Sequence, residues 1–370
     1  MLRQWQRVWV ALLAAVVAEL LTLALAAASA GTITEYPLPA NSGTTTITTC
    51  NSSGHHCTTT KSTSSYCSCP ATIAPGPDGK LWFTETGGAL GYGAIGTISP
   101  TSGAITEYKL PTFNSIPVGI SLGPAGTAAL WFTEQSSNRI GRITTAGSIT
   151  EFALPVAGSQ PRGIALGSDG NLWFTESRTS GTATGYIGRI TPAGAITELA
   201  VPYAWSRPFL ITSGPDGNMW FTDEGTNSVG TIAVAGPVVG AVTEFKLPSA
   251  SAGPGPHGIT SGPDGNLWVA EANTSMVAQV TTAGVITEFG APGGPAGIVT
   301  GPDKNLWFTE ATNTSGVGVM TTSGTVLNSF SLGTTQYKDP QGITVGSDSR
   351  LWFTEEFGGT YGSIGAITSS

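Results

Sequence analysis

An all-β fold, a seven-bladed β-propeller of four-stranded antiparallel blades, is predicted by three observations. The stretch Leu81-Trp82-Phe83-Thr84-Glu85 recurs at 130–134, 172–176, 219–223, 267–271, 306–310 and 351–355. Its tryptophans are 49, 42, 47, 48, 39 and 45 residues apart, the period of one four-stranded blade. Secondly, 51 Gly and 24 Pro against 10% charged residues suit short strands and tight turns rather than helices. Thirdly, a fourth-strand motif missing after the last copy is present near the N-terminus, which predicts a ring closed by residues 32–38.

In chain order, residues 1–30 read as a signal peptide. Arg3 and Arg7 precede an apolar run over 8–27, and Ala28-Ser29-Ala30 offers small residues for cleavage. The length of that run leaves an uncleaved membrane anchor as the alternative. Export predicts a secreted protein, extracellular or periplasmic, with no membrane span after cleavage and residues 31–370 as one propeller domain. Removing 1–30 takes away two Arg and one Glu, so the charge becomes (15 − 2) − (23 − 1) = −9. That balance argues against nucleic acid as a partner.

Ile33-Thr34-Glu35-Tyr36 is the displaced fourth strand. A Thr- and Ser-rich loop insertion at 40–70 follows, holding Cys50, Cys57, Cys67 and Cys69, all the cysteines of the chain. In an exported chain they read as two disulfides with open connectivity. His55 and His56 leave a metal site as the alternative, although the cysteine spacing matches no familiar zinc pattern. Asn51, Asn273 and Asn313 lie in Asn-x-Ser/Thr patterns.

The repeat is clearest at Pro161-Arg162-Gly163-Ile164, the turn 167–171, strand 172–176, Ile187-Gly188-Arg189-Ile190 and Ile196-Thr197-Glu198. These are strands A, B, C and D, with Asp-Gly making the A–B hairpin turn. The second copy lengthens that turn by Gly126-Thr127-Ala128-Ala129. Alternation along strand B places Trp82 and Thr84 on one face and Leu81 and Phe83 on the other. Both faces being apolar, the tryptophans are read as packing between blades rather than as a sugar-stacking platform.

Chain direction brings the start of each strand A and the end of each strand B to one mouth of the ring. The acids ending strand B are therefore expected there, facing Ala71, Val118, Arg162, Phe209, His257, Ala296 and Gln341. Variation on a repeated scaffold marks a binding rim. Arg162, Trp205, Arg207, Phe209 and Gln341 are candidate ligand contacts, with Phe113 and Tyr337 beside them. Trp205 has the alternative of packing under its own loop. His257 opens the fifth strand A and Glu271 ends the fifth strand B, so the two are expected as neighbours. A histidine beside a carboxylate can act as a general base, or be a hydrogen-bonded rim residue.

Gly-Pro-Asp-Gly-Asn-Leu-Trp at 262–268, Pro-His-Gly-Ile at 256–259 and Ile-Gly-Arg-Ile-Thr at 187–191 resemble the virginiamycin B lyase (streptogramin lyase) family over 31–370, the insertion excepted. The resemblance implies a seven-bladed propeller that linearises a cyclic depsipeptide by elimination, without water, with Mg²⁺ on the substrate. It implies His257 as the catalytic base and Glu271 as a metal ligand. The family's other metal glutamate falls on Gly255 and its second histidine on Phe209. Two functions follow as alternatives: a carbon–oxygen lyase acting on a small molecule or cyclic peptide, or a non-catalytic propeller binding an extracellular glycan, peptide or protein. A monomer is expected.

Overall fold

The computed structural model describes residues 31–39, 41–50, 57–66, 69–87, 92–178, 184–237, 239–249, 255–312, 315–333, 338–356 and 362–369. Residues 1–30, Asn51, His55, His56, Cys67, Asn313 and Tyr337, which carried sequence expectations, lie outside them. Seven four-stranded antiparallel sheets form the blades. Six run A to D in sequence order, and the seventh joins Ile33–Pro37 to Ser363–Thr368. Its register sets Tyr36 opposite Ile364 and Ile33 opposite Ile367, so the expected closure is present. The insertion is more ordered in backbone than the loop expected: Asn41–Cys50 and Cys57–Tyr66 pair as a hairpin, with Cys50 opposite Cys57. No helix among the described residues is long and apolar enough to cross a membrane.

Strand B supplies the core because neither of its faces meets water. Each Trp packs on the first and third strand-B residues of the following blade: Trp82 against Leu130 and Phe132, Trp220 against Leu267 and Val269. The series closes with Trp352 against Leu81 and Phe83. All seven Trp are 0–2% exposed, which excludes a sugar platform. Six indoles donate to the aspartate of their own A–B turn, as Trp173 Nε1 does to Asp169 Oδ1 at 3.1 Å. Blade 2 has no aspartate in its lengthened turn, and there Trp131 Nε1 is buried without an acceptor. Trp131→Phe is therefore expected to cost about 1 kcal/mol less than Trp173→Phe, read from denaturant midpoints. Equal losses would show that these indole bonds contribute nothing net.

Neighbouring blades are also sewn together at strand A. In six blades the strand-B threonine accepts from an amide of its own strand A and donates to a carbonyl of the next one; blade 5 has Ala270 there. Thr222 Oγ1 bonds the His257 carbonyl at 2.8 Å, and Thr175 Oγ1 the Phe209 carbonyl at 2.6 Å. Six of the seven channel-facing residues, Ala296 excepted, are thus held through their carbonyls by a threonine hydroxyl, independent of what their own side chains are.

Candidate functional site

In every blade the A–B register shifts between the proline that opens strand A and the isoleucine three positions on. A bulge of this kind re-aims side chains. His257 and Gly258 fall inside the one between Pro256 and Ile259. Gly258 permits the close approach of adjacent inner strands, since a Cβ there would overlap the Ala296 carbonyl oxygen. The inner strands of all seven blades surround a cavity of about 410 Å³, whose wall includes Ala71, Val118, Phe209, His257, Ala296 and Gln341. Its wall is mainly apolar, with Thr86 and Glu356 among the polar groups.

Charged groups gather on one sector of the mouth. His257 Nε2 lies 3.5 Å from Glu224 Oε1, and Arg207 Nη2 lies 3.0 Å from Glu224 Oε2. The His257 and Phe209 rings are 4.9 Å apart, inclined at 46°. The Arg162 guanidinium also sits against Phe209, 5.0 Å from the ring centroid. Burial pushes the imidazole below its ordinary value, Glu224 opposes that, and Arg162 adds to it. The net direction is down, which favours the neutral ring at pH 7. A neutral imidazole facing an acceptor-only carboxylate with Nε2 carries its proton there and leaves Nδ1 with a lone pair.

The strand-B acids do not ring the channel as expected. Glu85, Glu134, Glu176, Asp223, Glu271, Glu310 and Glu355 are 0–2% exposed, and none borders the cavity. They share a strand face with the Phe position and lie over strand C, where Glu310 Oε1 comes within 2.8 Å of a Cβ built at Gly318. Glu271, expected beside His257, instead accepts from Ser249 Oγ at 2.6 Å and Thr274 Oγ1 at 3.1 Å, near Glu288 of strand D. Burial raises its pKa and Glu288 adds to the rise. The acid that lies beside His257 is Glu224.

Phe209 therefore meets His257, Arg162 stacks on Phe209 and Arg207 pairs with Glu224, while Gln341 stands in blade 7 and donates to Asp339 at 2.8 Å. Trp205 is 63% exposed and is not packed under its loop. Phe113, 62% exposed, meets the Tyr92 ring edge-on at 5.3 Å. The residue that sequence reasoning passed over is Glu224. Its signal was there: blades 4 and 7 end strand B in doubled acids, Asp223-Glu224 and Glu355-Glu356. The second acid of each pair falls one place beyond the buried register, so it lies at the mouth.

The donor set does not fit the Mg²⁺ that the resemblance implies. Gly255 offers no side chain, and a Cβ there would collide with Asn227 Oδ1. Glu271 is bound into its blade, and no three His, Cys, Asp or Glu among the described residues converge as metal ligands.

A sequence profile described as the virginiamycin B lyase family matches residues 57–254 and 237–370. Among solved structures, a streptogramin B lyase is 30% identical with TM-score 0.72, covering 92% of this chain and 98% of its own. A virginiamycin B lyase from Staphylococcus aureus is 34% identical with TM-score 0.69, covering 82% and 96%. A catalytically inactive histidine-to-alanine form of that enzyme with quinupristin is 31% identical with TM-score 0.71, covering 92% and 99%. No curated protein matches the chain in sequence.

Proposed function

Since the chain belongs to the virginiamycin B lyase family, we propose that it opens an ester of a cyclic depsipeptide or related molecule by elimination, with His257 as base. The observation that carries this reading is His257 on the cavity wall with its Nε2 3.5 Å from Glu224 Oε1, in surroundings whose burial favours the neutral ring. Glu224 acts as the positioning residue: it holds the tautomer and stabilises the imidazolium that forms. His257 Nδ1 takes a proton from a carbon next to a carbonyl. The electron pair left behind forms a C=C bond, and the C–O bond one carbon further breaks. Its oxygen leaves as a carboxylate. No water is added, so the ring opens at unchanged mass. Because the donor set is unsuited to Mg²⁺, no step is assigned to a metal.

Incubation with quinupristin, followed by mass spectrometry and chromatography, tests this. The expected result is a linear product of unchanged mass, absent with His257→Ala, slowed at least tenfold with Glu224→Gln, and indifferent to EDTA. No turnover by the native protein ends the claim for this substrate class. A second reading, non-catalytic binding of an extracellular peptide or glycan, is supported by Phe209 and Gly255 in place of family site residues and by the exposed Trp205 and Phe113. Export of the chain and disulfides in the cysteine-rich segment belong to both readings. The bonded state of Cys69 and the backbone register that sets Cys50 opposite Cys57 support such stapling.

A further inference from the structure

Arg162 is the channel-mouth group that the elimination does not use. Its six counterparts in the other blades are Ala71, Val118, Phe209, His257, Ala296 and Gln341, all uncharged when the imidazole is neutral. The guanidinium has no carboxylate within ion-pair distance among the described residues, and its Nε is buried with no acceptor. Glu224 is close enough to be felt, but both its oxygens are taken, Oε2 by Arg207 and Oε1 by His257. Two guanidinium groups thus share one carboxylate. Arg162, Arg207 and Glu224 sum to +1 within a chain of net charge −8, while the neighbouring Asp223 is taken up by the Ser206 hydroxyl and the amides of Arg207, Gly225 and Thr226.

An incompletely compensated, partly buried cation is unfavourable in the free protein, and stacking on Phe209 offsets only part of that. Burial lowers the Arg162 pKa from its ordinary value, yet a guanidinium stays charged at any pH at which the protein is folded. Apolar side chains fill the same position in other blades without disturbing the ring. Retaining an arginine here makes sense when something outside the chain supplies the counter-charge. Its planar fork of donors matches two oxygens of a carboxylate or phosphate. The mainly apolar cavity beyond Phe209 and His257 suits the rest of such a molecule.

We propose that Arg162 is an anion anchor, receiving the carboxylate or phosphate of an organic ligand whose apolar body enters the cavity past Phe209. The anchor is independent of whether His257 removes a proton. Phe209 then packs against both groups, its ring 5.0 Å from the Arg162 guanidinium and 4.9 Å from the imidazole.

Calorimetric titration of the full-length protein with 4-phenylbutyrate, phenyl phosphate and the neutral 4-phenylbutyramide tests this. One or both anions are expected to bind saturably, at least tenfold more tightly than the amide, and which one prevails identifies the oxyanion. Arg162→Gln should remove that preference while leaving the melting temperature unchanged or higher, which separates lost binding from lost fold. Arg162→Lys should restore part of it, and His257→Ala should keep it. Equal affinity for amide and anion, retention within twofold in Arg162→Gln, or no saturable binding of either anion would overturn the anchor. Anion binding without ring opening of quinupristin would end the elimination reading and leave the anchor standing.

Discussion

A chain that begins at residue 39, lacking the closing strand, is expected to lose the folded ring rather than one strand's share of stability. Ile33–Pro37 covers the edge of Ser363–Thr368, which would otherwise present unpaired amides and carbonyls. Tyr36 stacks on Trp352 with ring centroids 5.4 Å apart, and Leu38 is 3% exposed in the cluster that joins blade 7 to blade 1. Lys338, which also lies 3.6 Å from Glu355, loses its partner Glu35. Exposing three apolar side chains costs about 2 kcal/mol each, and the ladder bonds add about 1 kcal/mol apiece. Together they are on the order of 10 kcal/mol, comparable with the whole stability of an ordinary domain. Tyr36→Ala alone should cost about 3 kcal/mol. Guanidinium unfolding followed by tryptophan fluorescence measures both. A truncated chain with an unchanged midpoint would show that the ring does not depend on its closure.

Stability is expected to fall as pH rises from 5 to 8, the reverse of what paired surface carboxylates would produce. Burial pushes Glu134, Glu176 and Glu355 up to about 7, with Glu151, Glu198 and Glu35 respectively adding to the rise. Burial and the neighbouring Asp223 push Glu244 up to about 8. In the unfolded chain these groups lose their protons near 4.5. Between 4.5 and 7 or 8 the folded state therefore holds more protons, and stability drops with each pH unit. A shift from 4.5 to about 7 corresponds to on the order of 3 kcal/mol per group at the alkaline end. Arg139, Arg178, Lys338 and Lys246 already moderate the rise at Glu134, Glu176, Glu355 and Glu244 respectively. His257 works the other way, since its lowered pKa favours the fold as pH rises through its unfolded value of 6.5, but it is one group against four. The melting temperature should be about 10 °C higher at pH 5 than at pH 8. Glu134→Gln should flatten that slope by one group's share. A flat or rising profile would show that these acids ionise freely in the fold.

Both expectations turn on the strand-B motif, where reading from sequence succeeded and then misled. The Leu-Trp-Phe-Thr run was legible because each side chain obeys the period-2 alternation of a strand, and every blade repeats the same packing against the next. The displaced Ile33-Thr34-Glu35-Tyr36 was legible for the same reason: a repeat with one missing strand and one spare has a simple closed solution. The acid that follows Thr obeys the alternation too. That alternation sets Glu271 on the face of Val269, over strand C and towards Glu288, and away from His257. The hairpin within the cysteine-rich insertion was not legible, because a Thr and Ser tract has no apolar period to mark its strands.

Sequence by itself determined the number of blades, the closure of the ring, and which strand position carries each rim residue, because these depend on local period and chain direction. Tertiary structure alone decided the company of His257. Glu224 belongs to the preceding blade, thirty-three residues away, and reaches the imidazole because it stands one place past the buried register. The same contacts left Arg162 without a carboxylate of its own, since charge pairing across blades depends on side-chain reach that spacing along a chain does not encode.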